Sequence, residues 1–217
     1  MAQAFQVTLA LADASATNIA TSQSPGSAAI TLDGSTVSGG VATLDAARRV
    51  LITSGSDDSG IAFTVVGTNR DGHALSETVT GGNAVAVYTT QDFKTVTAVT
   101  HTGSVAGTVS VGTNGIASSQ WYVINRHTTP VNIGVGVVVS GTINVSVEYT
   151  YDNPNAPYTG TFPTVFTQSA LASKTANTDG GSTFNFPVYA MRLTQNSFSS
   201  GGTAKMILIQ AGLGGGN

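Results

Sequence analysis

With 217 residues the chain can hold one large β-sandwich or two smaller β domains, and only 9% of its residues are charged against 41% hydrophobic. Abundant apolar residues and a net charge of −3 exclude a disordered chain, and eight scattered Lys and Arg residues argue against direct nucleic-acid binding. The absence of cysteine excludes disulfides, thiolate metal sites and a cysteine nucleophile.

Residues 1–39 combine short apolar groups with small polar residues. Two interpretations stay open: an N-terminal extended arm that orders on docking, or extra strands near residues 7–11 and 30–32. The first residues have no basic segment followed by an apolar run, so we expect no signal peptide. No apolar stretch approaches the roughly 18 residues of a membrane span, so we expect no membrane partner.

Residues 40–113 are predicted to form the first β-sandwich module. Four segments alternate Thr or Ser with aliphatic residues, as half-buried strands do: residues 63–66, 76–80, 95–100 and 109–111. Residues 68–72, which contain Asn69 and Gly72, predict a hairpin loop between the first two. A short helical turn is the expectation only around residues 44–48, where good helix formers gather.

A boundary is predicted at residues 112–115, so that residues 114–217 form a second β-sandwich module with a Gly-rich C-terminal tail. Its apolar alternation predicts two hairpins, one from residues 131–139 and 142–151 and a closing one from residues 184–193 and 203–211. The fold class is therefore all-β, with two jelly-roll or immunoglobulin-like sandwich modules. A single continuous jelly roll is the structural alternative.

No residue pattern predicts a catalytic, cofactor or metal site. His73, His101 and His127 have no second ligand at metal-binding spacing, and we expect surface or capping roles for them. Asp57 and Asp58 precede Ser-Gly, which predicts a turn rather than a calcium loop. The two glutamates, Glu77 and Glu148, are expected to face solvent from mid-strand positions. The core is predicted to hold these aromatic residues: Trp121, Tyr122, Phe162, Phe166, Phe184 and Phe186.

Several of these segments resemble a group of tailed-bacteriophage virion proteins described as structural. The similar segments in the first module are residues 47–54, 59–68, 77–81, 93–97 and 109–112. Those in the second are residues 130–134, 139–142, 147–152, 186–188, 191–193 and 209–212. The resemblance implies two β modules, no enzymatic activity, no cofactor and a place in a virion assembled in the host cytoplasm.

Three candidate functions follow from this resemblance and from the absence of a predicted catalytic, cofactor or metal site. The first is capsid decoration: a cement protein that binds the major capsid protein as a homo-oligomer, with a trimer matching the local threefold positions of a coat. The second is a neck, tail or fibre component that contacts other virion proteins. The third is a carbohydrate-binding module, which exposed aromatic platforms would favour and a buried Trp121 would disfavour.

Overall fold

The structure is a computed structural model that describes residues 3–125, 132–155, 162–180, 184, 186–199 and 201–210. It confirms the all-β prediction: apart from one 3-10 turn (Ser169–Leu171), every described regular element is a strand. Among the described residues no helix is long and apolar enough to cross a membrane. The strands are β1 (Gln3–Ala10), β2 (Ser15–Gln23), β3 (Val37–Ser38), β4 (Val41–Ser54), β5 (Ala62–Thr68), β6 (Ala74–Thr80), β7 (Ala86–His101), β8 (Val109–Ser118), β9 (Tyr122–Val123), β10 (Ile133–Ser140), β11 (Ile143–Thr150), β12 (Phe166–Thr167), β13 (Thr178–Asp179), β14 (Ala190–Phe198) and β15 (Thr203–Gln210).

The chain folds into two compact units. The inserted unit is Asp13–Ala117, and the outer unit combines Met1–Ala12 with Ser118–Asn217. The sequence-based boundary at residues 112–115 falls inside β8, because Thr113 and Asn114 continue the strand instead of ending it. Residues 1–39 are divided between the units: β1 belongs to the outer unit, whereas β2 and β3 belong to the inserted unit.

The inserted unit is built on one antiparallel sheet with strand order β2-β8-β4-β7-β5-β6. The hairpin predicted across residues 68–72 is confirmed, since β5 and β6 pair directly. A connecting segment then joins distant strands: Gly34 N donates to Ile19 O at 3.0 Å, and Ile30 N donates to Val99 O at 3.3 Å. These bonds link β2 to β7 through the segment at residues 30–34.

The outer unit contains two antiparallel sheets that share one core. The first sheet has the order β1-β15-β10-β13, and the second has β12-β11-β14 with β9 beside β14. Alternate residues of β10 (Ile133, Val135 and Val137) pack into the same cluster as Val145 of β11 and Met206 of β15. Apolar side chains from the two inner faces thus bury each other, which is the main stabilising contribution in such a fold.

Both hairpins predicted in the second half of the chain are wrong. β10 pairs with β15 and β13, whereas β11 pairs with β14 and β12. In the same way β14 lies in one sheet and β15 in the other. Each short turn therefore carries the chain across the core from one sheet to the other. The two turns meet, because a side chain on Gly141, which has φ 79°, would collide with the Gly202 backbone.

Two further expectations are corrected. The helical turn expected at residues 44–48 is part of β4, where pairing with neighbouring strands overrides the helix propensity of the alanines. Phe166 is not a core residue, because its side chain is 41% exposed, although Phe184 is fully buried as predicted.

Replacing Val145 with Ala should lower the free energy of unfolding of the outer unit by about 2 kcal/mol or more, because two fully buried methyl groups leave a cavity. Trp121 is the single tryptophan and lies in this unit, so its fluorescence during urea titration is the measurement. The matched control is Val123→Ala, since Val123 is 48% exposed and should change little. Equal losses in the two variants would contradict this core assignment.

Candidate functional site: a charged network in the inserted unit

Strand irregularities bring charged residues together in the middle of the inserted unit. The pairing of β4 with β7 shifts register twice, between Thr43 and Arg48 and again between Arg49 and Leu51. A bulge leaves backbone groups without ladder partners and redirects side chains. Six charged residues gather around these shifts: Asp45, Arg48, Arg49, Glu77, Asp92 and Lys94.

Arg48 is the most buried charge of this network, with only 1% of its surface exposed. Its Nη1 donates to both oxygens of the Asp45 carboxylate, at 3.1 and 3.3 Å, and its Nη2 donates to the Asn114 carbonyl at 2.6 Å. A buried guanidinium is tolerated only when its charge and N–H groups find such acceptors. Arg48 therefore ties the irregular part of β4 to β8.

Arg49 and Thr89 make the hydrogen bonds at the second register shift between β4 and β7. Arg49 Nε donates to Asp92 at 2.7 Å, and its Nη1 donates to the Thr89 carbonyl at 3.2 Å. The fully buried Thr89 hydroxyl accepts from Val50 N at 2.9 Å and donates to the Gln91 carbonyl at 2.9 Å. Side chains thus provide the hydrogen bonds that a regular ladder would make.

Glu77 and Lys94 hold the remaining backbone groups. The Glu77 carboxylate accepts from Thr90 N at 2.6 Å, from the Thr90 hydroxyl at 2.8 Å and from Gln91 N at 2.9 Å. Lys94 Nζ donates to the carbonyls of Leu44 and Asp45, at 2.6 and 3.2 Å. Glu77 is half-buried, not fully solvent-facing as expected, and its carboxylate is the anchor of a strand bulge.

This network is suited to bracing a curved sheet. General acid–base catalysis requires a titrating group that can reach a substrate proton, and here each of the three carboxylates already accepts hydrogen bonds from the bulged strands. Arg48, Arg49 and Lys94 likewise donate hydrogen bonds to carboxylates and backbone carbonyls. The geometry supports a structural role for these charges.

The second glutamate makes an ion pair in the outer unit, so its predicted exposure is also wrong. Glu148 Oε2 accepts from Arg192 Nε at 2.7 Å and from the Thr194 hydroxyl at 2.7 Å. The Arg192 guanidinium lies 4.5 Å from the centre of the Trp121 ring, a cation–π contact that covers one face of that ring. Trp121 is half-buried and is not a free stacking platform.

The two aspartates at the predicted turn have different environments. Asp57 is exposed and accepts from the Ser59 hydroxyl and backbone N, which lower the pKa of its carboxyl group. Asp58 is fully buried; its Oδ1 accepts from Ala106 N at 3.0 Å, while its backbone N donates to the Gly82 carbonyl. Asp58 therefore pins three loops together. Within the described residues no group of three His, Asp or Glu side chains could hold a metal ion.

The histidines are found apart from this network. His73 N donates to the Asn69 side chain in the β5–β6 turn. The ring nitrogens of His101 lie 3.1 Å from the Gly103 carbonyl and 2.7 Å from the Ala28 carbonyl, so the ring joins two loops. His127 lies outside the described residues.

Comparisons of the chain with protein-family models, with curated proteins and with solved structures find no match. The candidate function therefore has to be inferred from the residues themselves.

Replacing Glu77 with Gln should destabilise the β7 bulge by about 1 kcal/mol, because the new amide group would face backbone N–H donors. Amide hydrogen exchange across β7 should become correspondingly faster. Asp71→Asn makes the same chemical change at an exposed turn position and should leave exchange unchanged. Unchanged exchange in Glu77→Gln would show that the carboxylate does not hold the bulge.

Asp33 gives a pH-dependent anchor for β2. The hydroxyl and backbone N of Thr21 donate to its carboxylate at 2.6 and 2.7 Å, and these bonds lower the pKa of the Asp33 carboxyl group. The folded protein therefore binds this proton less tightly than the unfolded chain. The stabilisation is complete above the ordinary carboxyl pKa and is lost as pH falls through the lower, folded value.

In Thr21→Val the pKa of Asp33 should move up towards its ordinary value, because the hydroxyl donor is the largest cause of the shift. Carboxyl-carbon NMR across an acid titration measures this pKa. The Asp57 carboxyl, held by Ser59, serves as the internal control and should titrate as in the parent protein. An unmoved Asp33 would contradict the assigned cause.

Proposed function

We propose that the chain is a non-catalytic structural protein of a tailed-bacteriophage particle, a decoration protein that binds and stabilises the phage head. In this proposal the two units are sandwich-type β modules of the jelly-roll or immunoglobulin-like kind. The chain is assembled in the host cytoplasm as a homo-oligomer, with a trimer as the expected state. Its partners are other copies of itself and the major capsid protein.

The observation that carries this proposal is the chemistry of the outermost strands. Among the described residues β1 pairs only with β15, and β6 is the last strand of its sheet. β1 contains no charged residue and no proline. β6 contains a single charge, Glu77, which is bound by Thr90 and Gln91. Unprotected edges of this kind pair with further strands unless something covers them.

Subunit contacts are the cover that fits a coat protein. In a closed ring of copies, each edge is hidden by its neighbour and no edge remains open for uncontrolled aggregation. The resemblance to virion proteins supports the same conclusion, since its segments fall largely on strands, among them β4, β5, β8, β11 and β14. The structural role of the charged network, whose carboxylates bond to the bulged strands, is consistent with a protein that works by assembly.

A neck, tail or fibre component is the second candidate. The division of the chain into two compact units favours it, because each unit has its own surface for a different partner. Both candidates use the same folded protein, and they differ in how many copies each particle carries.

Quantitative mass spectrometry of purified particles of the phage that encodes the chain should find on the order of hundreds of copies per particle, as expected for decoration of an icosahedral head. A number of about a dozen or fewer would instead place it at the neck or tail. The signal should be normalised to the major capsid protein of the same particles. Absence of the chain from washed, intact particles would contradict both candidates.

A further inference from the structure

Aromatic rings form an exposed corner at the end of β11 in the outer unit. Tyr149 of β11 lies directly opposite Phe166 of β12, and their rings stack at 5.5 Å with an interplanar angle of 22°. Tyr151 follows on the same face of the chain. Its ring meets the Phe166 ring at 5.6 Å and 65°, so the two rings stand as a floor and a wall. These three residues are called the aromatic corner below.

The aromatic corner and the adjacent Val165 form a contiguous patch of exposed apolar side chains. Tyr151 is 52% exposed, Phe166 is 41% exposed, and the adjacent Val165 is 39% exposed. Most other exposed large apolar residues of the described chain are aliphatic or stand apart from any second exposed ring. Single exposed apolar residues are normal, whereas a contiguous aromatic group indicates a binding surface.

The rings are held rigidly from behind. Tyr149 also packs edge-on against the buried Phe184 at 5.4 Å and contacts Phe186 at 6.1 Å. Burial and the neighbouring Tyr151 hydroxyl raise the pKa of Tyr149, which agrees with a phenol that stays neutral inside the cluster. Exposed rings that are already ordered lose little conformational entropy when a ligand binds.

Polar groups stand beside the corner. Asp152 is exposed and uses Oδ2 to accept from Thr164 N at 2.6 Å, which fixes the turn next to β12. Its Oδ1 makes no hydrogen bond with any described residue. Asn153 is exposed and accepts from Asn155 N through its side-chain oxygen, and its amide N–H groups have no partner among the described residues. Acceptors and donors are thus both present next to flat apolar rings.

We propose that the aromatic corner binds a neutral carbohydrate made of hexopyranose units. A hexopyranose has an apolar face of C–H groups and an edge of hydroxyls. The C–H face lies on the Phe166 ring, the edge of the sugar contacts the Tyr151 ring, and the hydroxyls bond to Asp152 Oδ1, the Asn153 amide and the Tyr151 phenol. Aromatic residues with a few placed polar groups are the usual lining of such sites.

Charge and polarity favour this ligand over others that stack on aromatic rings. A nucleic acid would bring phosphates next to the Asp152 carboxylate, and none of the residues named in this site is Lys or Arg. An aliphatic protein surface would cover the rings but would leave Asp152 and Asn153 without partners, at a cost in free energy. This site is independent of the head-decoration proposal, because a decoration protein does not need to bind sugar.

Three hexasaccharides are suitable probes for isothermal titration calorimetry with the full-length protein: cellohexaose, maltohexaose and chitohexaose. At least one of them should bind saturably. Tyr151→Ala and Phe166→Ala should each weaken that binding by about tenfold or more, because each removes a stacking surface. The matched control is Tyr88→Ala, since Tyr88 is a 49% exposed tyrosine of the inserted unit and should leave affinity unchanged.

Trp121 fluorescence during thermal unfolding checks that the two corner variants remain folded. Should either variant unfold, Tyr151→Phe provides the second test, since it keeps the ring and should bind with reduced affinity through loss of the hydroxyl alone. The proposal is overturned if calorimetry detects no binding of any of the three sugars at sugar concentrations up to about 10 mM. Equal weakening of sugar binding by Tyr88→Ala and Tyr151→Ala would overturn it as well. So would light scattering in which Tyr151→Ala abolishes self-association of the chain while none of the sugars binds.

Discussion

Backbone hydrogen bonding is the constraint on which this structure depends. An all-β chain must pair each strand, and wherever a ladder is interrupted another group has to satisfy the buried N–H and C=O groups. In the inserted unit this happens at the shifts between β4 and β7, where Glu77, Thr89 and Lys94 bond to the backbone directly. Six of the charged side chains brace this sheet where its ladder is interrupted. Of the two edge strands β1 and β6, the first contains no charged residue and the second contains only Glu77.

Local patterns in the sequence predicted strands well but pairing poorly. Alternation of Thr with aliphatic residues marks β5, β6 and β8, because a strand with one buried face has a period of two. The β5–β6 hairpin was also predictable, since Asn69 accepts bonds from two backbone N–H groups of the turn and Gly72 has the positive φ, 82°, that the turn needs. Turns at Gly141 and Gly201 look similar in sequence, yet there the chain changes sheets.

The reason lies in what each pattern encodes. Period-two alternation shows which side chains are buried but not which strand lies beside them, so β10 could equally have paired with β11 or with β15. Contacts distant in sequence decide between these partners. The same limit applies to the candidate sites: the Arg48–Arg49 pair is visible in the sequence, but its acceptors, Asp92 and the Asn114 carbonyl, come from other strands. The aromatic corner likewise joins Tyr151 to Phe166 across a loop.

The central claim is that this chain is an assembly subunit whose open strand edges are closed by neighbouring subunits. Hydrogen–deuterium exchange, compared between the isolated chain and the chain within purified particles, tests it most directly. Amides of β1 and β6 should become strongly protected in the particle, whereas those of β4, which is already paired on both sides, should change little. Exchange in β1 and β6 that is as fast in the particle as in the isolated chain would contradict the claim.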